Sequence, residues 1–335
     1  MEQGGTTDLF DLPECCIVDI LSRICTSPRD ACRLSVVSSF FRSAADSDSI
    51  WERFLPFDMQ LILSSSVSHS LLNFSSKKEQ FLHLCDNPLL IDNGTKTFTL
   101  EKCSGKKCFM IRAKELCIVW GDRPMDWNWP SLPESRFSEV AELVDSCLLD
   151  FHYKTETRLL SPNTTYVVYL VFKLTALAYG LENESVQILV KLADGGRSEQ
   201  GVVRRVRLQR SVERKWEGEL PEETKVSKRR WRSKFPFRGW RLPLSRQEDR
   251  VPTILEYIRY PSSWGTTLSR SWGVPMVTGS NPKERGDGWM EIEMGEFFNE
   301  RGEYGVDIIL MDPTTGHGKS GLIIQGMELR PKVNQ

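Results

Sequence analysis

The sequence predicts an α+β chain of more than one domain: a small all-helical N-terminal unit followed by an all-β, jelly-roll-like sandwich. Three observations predict it. Apolar residues recur with a helical period from about residue 11 to 55, and from about residue 95 the period changes to the alternation of strands. Turn clusters such as Asp312-Pro313 and Gly316–Gly318 separate the later runs. No long helices alternate with those runs, which favours a sandwich over a parallel sheet.

The first helix is marked by Ile17, Ile20, Leu21 and Ile24, spaced i, i+3, i+4 and i+7 to make one apolar stripe. Asp11 and Glu14 have the spacing of a capping box, with Pro13 where a first turn tolerates it. Ser27-Pro28 predicts the next helix, Ser27 as cap and Pro28 at its first position. Leu34, Val37, Phe40 and Phe41 continue the stripe, and Trp51 with Phe54 closes it. A unit this short buries little by itself and leans on a partner or a neighbouring domain. Residues 8–56 form this unit, and residues 57–94 read as a mostly helical connector.

From residue 95 to 332 the chain reads as strands: Thr97 to Glu101, Cys108 to Ala113, Leu116 to Trp120, Tyr166 to Leu174 and Val186 to Leu192. Gly288 to Met294, Gly305 to Met311 and Leu322 to Arg330 complete the set. Residues 197–287 break the pattern and read as a basic, largely unpacked insertion. Its first part, 197–250, holds about nine more Lys and Arg than Asp and Glu.

The whole chain is near neutral, with a formal net charge of −1, which gives no global attraction to nucleic acid or acidic membranes. No run is long and apolar enough to span a bilayer, and the first thirty residues lack a secretory signal. The nine cysteines all precede residue 150. Cys15, Cys16, Cys25 and Cys32 sit in the helical stretch, where Cys is expected to behave as a small apolar residue rather than as part of a disulfide framework. Residence in the cytoplasm and nucleus is the expectation, and the N-x-Ser/Thr triplets at Asn73, Asn93, Asn163 and Asn183 then carry no glycan.

Leu12-Pro13, the Ile17/Ile20/Leu21/Ile24 stripe, Ser27-Pro28-Arg29-Asp30, Leu34-Ser35-Val36-Val37 and Ile50-Trp51 together resemble an F-box, in order and at its spacing. The chain has Ser38-Ser39-Phe40-Phe41-Arg42 where most F-boxes have a basic pair and Trp. The resemblance implies docking on a Skp-family adaptor, and through it on a cullin. The residues it points to are Leu12, Pro13, Ile17, Ile20, Leu21, Ile24, Pro28, Leu34, Val37, Phe41 and Trp51. Surplus apolar surface on a small bundle needs another protein's groove to cover it.

From Lys107 onward, Cys108-Phe109-Met110, Leu116 to Asp122, Trp127-Asn128-Trp129, Pro133 to Phe137, Gly288 to Ile292 and Lys319 to Gly326 resemble the phloem-protein-2 lectins. That family implies a sandwich and a ligand class, glycans containing N-acetylglucosamine. The residues fit such chemistry independently: a sugar's C–H face stacks on an aromatic ring while fixed polar groups orient its hydroxyls. Trp120, Trp127 and Trp129, with Asp122 and Glu134, supply both kinds of group within fifteen residues, and Pro124 and Pro130 place them in a loop. Trp120 ends an apolar strand and is the one of the three most expected in the core.

The combined expectation is a substrate-recognition subunit of a Skp–cullin–F-box ubiquitin ligase that makes and breaks no bond itself. Two alternatives stay open: a stand-alone lectin of the cytosol and nucleus, or an F-box adaptor whose sandwich reads a protein surface. No cofactor, metal or membrane partner is expected. Gly316-His317-Gly318-Lys319-Ser320-Gly321 matches a dinucleotide fingerprint in letters only, because a strand follows where a helix is needed. Cys103 and Cys108 lack zinc-spaced partners, and the four histidines are scattered. The run Lys228-Arg229-Arg230-Trp231-Arg232, with Phe235, Phe237 and Trp240, is the one hint of nucleic-acid binding, and a solvated insertion is the plainer reading.

Overall fold

The computed structural model describes residues 12–67, 72–182, 185–193, 201–209, 275–313 and 317–333. The chain opens with helices α1 (Glu14–Ile24), α2 (Pro28–Leu34), α3 (Ser39–Ala45) and α4 (Asp48–Trp51). Local chemistry sets their ends. Pro13 is the N-cap of α1 and makes no side-chain cap bond; Asp11, expected to open a capping box, lies outside the described residues. At α2 the capping box is reciprocal: Asp30 donates its backbone N–H to Ser27 Oγ, and Asp30 Oδ2 accepts from Ser27 N at 3.0 Å. The Ser27 and Thr26 hydroxyls hold the Asp30 carboxyl below its ordinary range. Ser38 caps α3 by accepting from Phe41 N at 3.1 Å.

Two further helices, α5 (Met59–Ser64) and α6 (Lys77–Asp86), precede the strands. The connector ends earlier than residue 94, because β1 (Leu89–Ile91) already pairs with β2 (Lys96–Leu100). The remaining strands are β3 (Lys107–Arg112), β4 (Cys117–Ile118), β5 (Trp127–Asn128), β6 (Ala141–Leu143), β7 (Phe151–Glu156), β8 (Thr164–Tyr179), β9 (Val186–Ala193) and β10 (Val202–Val206). Then follow β11 (Met276–Thr278), β12 (Lys283–Glu284), β13 (Met290–Asn299), β14 (Gly305–Met311) and β15 (Ser320–Pro331). One sheet runs β1-β2-β3-β15-β8-β13-β12, with β6 joined to β15 and β5 to β6; the other runs β11-β10-β9-β14-β7-β4. All pairs among the described residues are antiparallel except β10 with β11.

The two sheets bury alternating residues against each other. Tyr166, Val168, Leu170 and Phe172 of β8 share a core with Ile188 of β9, Ile308 of β14 and Ile324 of β15. That core does not stop at the sheets. Trp51, Phe54 and Phe81 form an aromatic knot, with ring centroids 5.3–6.5 Å apart, and belong to the same apolar cluster as Phe98 and Phe109. Trp51 donates its indole N–H to Ala45 O at 2.8 Å. Lys107, 3% exposed at the start of β3, reaches Asp58 at 2.7 Å. Its carbonyl accepts from the Tyr166 hydroxyl at 2.9 Å. Gly105 lies between β2 and β3 at φ +70°, and a Cβ there would sit 2.6 Å from Phe54 O.

The outer face of the larger sheet carries a second small core of Met110, Phe137, Val140, Val171 and Trp289. Beside it lies an ion network. Arg285 donates to Glu328 at 2.6 Å and to Glu291 at 2.9 Å, while Arg330 donates to Glu291 at 2.8 Å. At the sheet ends a buried polar cluster joins β7, β14 and β15. Asp150 Oδ1 accepts from Asp312 N at 2.8 Å, and Lys319 forms an ion pair with Asp312. Lys319 therefore serves as a buried structural cation directly before β15, and Gly321 lies within that strand.

Three expectations need correction. The strand expected from Leu116 to Trp120 shrinks to Cys117–Ile118, because the chain turns at Trp120, which has φ +59°. The insertion expected at 197–287 is narrower. β10 pairs with β9, Val203 and Val206 are buried, and β11 and β12 are paired too. The Lys228–Arg232 run and its aromatic neighbours lie outside the described residues. Cys15, Cys16 and Cys32 are exposed rather than packed; of the helical cysteines only Cys25 is buried.

Two outcomes test this packing. Gly105→Ala should destabilise the chain by about 1–3 kcal/mol, from a strained φ and a backbone clash, in a urea denaturation series. Burial pushes the Asp150 carboxyl up to about 7, and the Asp312 carboxylate pushes the same way. Because the folded pKa lies above the ordinary value of 3.8, the contribution of Asp150 to stability is largest at low pH and is lost as pH rises from about 4 to 7. The stability difference between wild type and Asp150→Asn, measured at each pH, should fall across that window; a flat difference would contradict the assignment.

Candidate functional site

The helical unit divides its apolar residues between two faces. On α1, Ile17 and Leu21 form one i, i+4 row and are fully enclosed. Ile20 and Ile24 form the adjacent row and stand 37% and 53% exposed. Past the end of α2 the chain turns, with Val37 N donating to Leu34 O at 3.1 Å, and this lifts Val36 and Val37 into solvent at 75% and 61% exposure. Leu12 and Leu34 are half-buried and Pro13 is exposed. The eleven residues expected to meet an adaptor therefore separate. Ile17, Leu21, Pro28, Phe41 and Trp51 are buried within the chain itself and shape the bundle. Ile20, Ile24 and Val37 remain as open apolar surface, and Val36, left out of that set, is more exposed than any of these three. Its signal was the Val-Val pair directly after the helix.

At the sandwich the Trp-rich stretch also separates. The turn at Trp120 is held by Arg123 N donating to Trp120 O at 2.9 Å, and the Arg123 guanidinium lies over the Trp120 ring at 4.8 Å. Trp129 donates its indole N–H to Gly121 O at 3.0 Å, which brings its ring beside the same turn, with Lys114 Nζ 4.0 Å from its centroid. Both rings are half-buried and Asp122 is exposed. Trp127 is different. It pairs with Leu143 across β5 and β6, lies 2% exposed in the main core and offers no face to a ligand. The expectation that Trp120 would be the core residue is reversed, because the positive-φ turn carries Trp120 outward and strand pairing carries Trp127 inward.

Glu134 stands elsewhere, on the outer face of the larger sheet. Its carboxylate accepts from Lys173 Nζ at 2.9 Å, which holds the carboxyl below its ordinary range, and its carbonyl accepts from Trp289 Nε1 at 3.2 Å. Trp120, Trp129 and Asp122 thus lie around one turn, with Arg123 over the Trp120 ring and Lys114 over the Trp129 ring. Among the described residues no group of three His, Cys, Asp or Glu is placed to hold a metal ion.

Comparison with known proteins agrees with both halves. Residues 9–56 match the F-box-like family, which covers α1 to α4, and residues 106–331 match the family Phloem protein 2, which covers β3 to β15. The helices α5 and α6 and the strands β1 and β2 fall between the two matches. F-box protein PP2-B1 of Arabidopsis thaliana is 38% identical over 331 residues, covering 96% of this chain and 90% of the relative. F-box protein PP2-B10 of the same plant is 38% identical, covering 96% and 94%, and F-box protein VBF is 37% identical, covering 96% and 99%. With both family matches in order and relatives that align over nearly its whole length, the chain belongs to the family of F-box proteins that carry a phloem protein 2 domain.

Proposed function

We propose that this chain is the target-recruiting subunit of a Skp–cullin–F-box ubiquitin ligase, and that its sandwich holds a glycan containing N-acetylglucosamine. The observation that carries the first half is the open apolar surface of Ile20 and Ile24 on α1, whose other row is already buried, and of Val36 and Val37 in the turn after α2. Apolar side chains left exposed on a small helical unit mark a surface that a partner can cover. The second half rests on the Trp120–Trp129 pair beside Asp122, the aromatic and acceptor groups that a pyranose needs.

The chain performs no chemistry in this reading. It holds a target near a charged conjugating enzyme, and transfer gains from the high local concentration of the target's lysines. The nine cysteines are all free, which suits residence in the reducing cytoplasm and nucleus.

Capture by an immobilised Skp-family adaptor tests the first half. Val36→Asp with Val37→Asp should weaken capture about tenfold or more while the circular dichroism stays unchanged. Undiminished capture by that double variant would remove the proposed face. On a glycan array, Trp120→Ala with Trp129→Ala should abolish binding to chitooligosaccharides. Wild-type binding that survives this change would place the sugar elsewhere.

A further inference from the structure

Two enclosed carboxyl groups lie behind the Trp120 turn, at the point where that turn is tied to the rest of the sandwich. β4 has two residues, Cys117 and Ile118, and stands at the edge of the smaller sheet, with β7 as its one strand partner among the described residues. The turn that follows is anchored to the same segment, because Val119 donates its backbone N–H to Asp150 O at 2.9 Å. A stretch held by so few bonds at a sheet edge opens locally before the rest of a fold does.

Asp150, directly before β7, is buried. Its Oδ1 accepts from Asp312 N at 2.8 Å, while its Oδ2 is enclosed and has no hydrogen-bond partner among the described residues. Two charged groups face it, the Asp312 carboxylate after β14 and the Lys319 ammonium before β15, and these two form an ion pair with each other. One cation thus serves two enclosed carboxyls, and a proton on Asp150 removes the uncompensated charge. The wall on the β15 side is fixed by backbone pairing: Ser146 N donates to Lys319 O at 3.0 Å, and Lys319 N to Ser146 O at 2.8 Å. The weaker wall is the one made by β4 and the turn.

We propose that Asp150 is a proton switch for the Trp120 turn: protonated, it keeps the turn and β4 closed against β7, and ionised, it opens them so that water reaches the charge. The switch acts on the turn whatever the turn binds, and in the open form Trp120 and Asp122 leave their place beside Trp129. Burial sets the Asp150 carboxyl at about 7 in the closed form, against an ordinary 3.8. The closed form therefore gains from protonation below about 7, and that gain is lost as pH rises through this value. Between pH 6 and pH 8 this changes the opening equilibrium by about tenfold. Three other titratable groups stand nearby. Burial holds the His152 imidazole on β7 below its ordinary value and pushes the Cys147 thiol up, and the His317 carbonyl accepts from Lys319 Nζ at 3.3 Å.

Hydrogen exchange of the full chain, read by mass spectrometry on a peptide spanning 116–122 and corrected for the intrinsic pH dependence of exchange, tests this. In wild type, opening of that peptide should rise about tenfold from pH 6 to pH 8, while a peptide from the middle of β8 stays protected. Asp150→Asn cannot ionise and should open equally at both pH values, with His152, Cys147 and His317 still in place. Asp312→Asn frees Lys319 to pair with Asp150, so the rise should move to lower pH; this second variant serves if the first fails to fold. Equal wild-type opening at the two pH values, or a rise that persists in Asp150→Asn, would overturn the switch. So would a rise left unmoved by Asp312→Asn, or one shared equally by the β8 peptide.

Discussion

The structure depends on one packing arrangement, the aromatic knot of Trp51, Phe54 and Phe81 seated against the larger sheet. A helical unit of this size has too little interior to be stable alone. Here it gains an interior by sharing one. The apolar cluster that begins at Ile17 and Leu21 runs through the knot to Phe98 and Phe109, and on to the space between the sheets. Three polar ties from β3 and α6 reinforce the junction: Lys107 to Asp58, Lys78 to Asp46 at 2.6 Å, and Lys77 N to Asp48 Oδ1 at 2.7 Å. The Lys107 pair is enclosed on the lysine side, so its loss would leave a buried charge without its partner.

This arrangement explains why the helical unit keeps apolar surface exposed. Once one face of α1 is committed to the shared core, nothing among the described residues covers the neighbouring row of Ile20 and Ile24. The same division holds on the sandwich, where strand pairing encloses Trp127 and the turn before it leaves Trp120 and Trp129 partly open. In both places the helical row or the turn conformation decides whether a side chain is enclosed in the core or left exposed. A chain built in this way connects its two faces through one interior instead of a flexible tether.

Much of the fold was legible in the sequence, because its signals were local. Ser27-Pro28 marked the start of a helix, and the long β-rich runs at β8, β9, β14 and β15 marked the central strands. The strands that escaped notice are short or polar. β7 reads Phe-His-Tyr-Lys-Thr-Glu and lies between β14 and β4, where backbone pairing rather than side-chain apolarity holds it. β10 was hidden by its arginines, although Val203 and Val206 are buried. At the candidate sites the residue types were legible and their directions were not. Spacing put Ile17, Ile20, Leu21 and Ile24 on one stripe, yet only packing against α3 and α4 determines which row turns inward. Glu134 was near the tryptophans in sequence, and Lys173 holds it on a different face.

The central claim is that the F-box helices and the sandwich share one interior and so fold as one unit. Differential scanning calorimetry of the full chain, alone and with a Skp-family adaptor, tests it most directly. The account predicts a single transition that moves to higher temperature as a whole when the adaptor is added. Two separate transitions, with only the lower one moved by the adaptor, would contradict it.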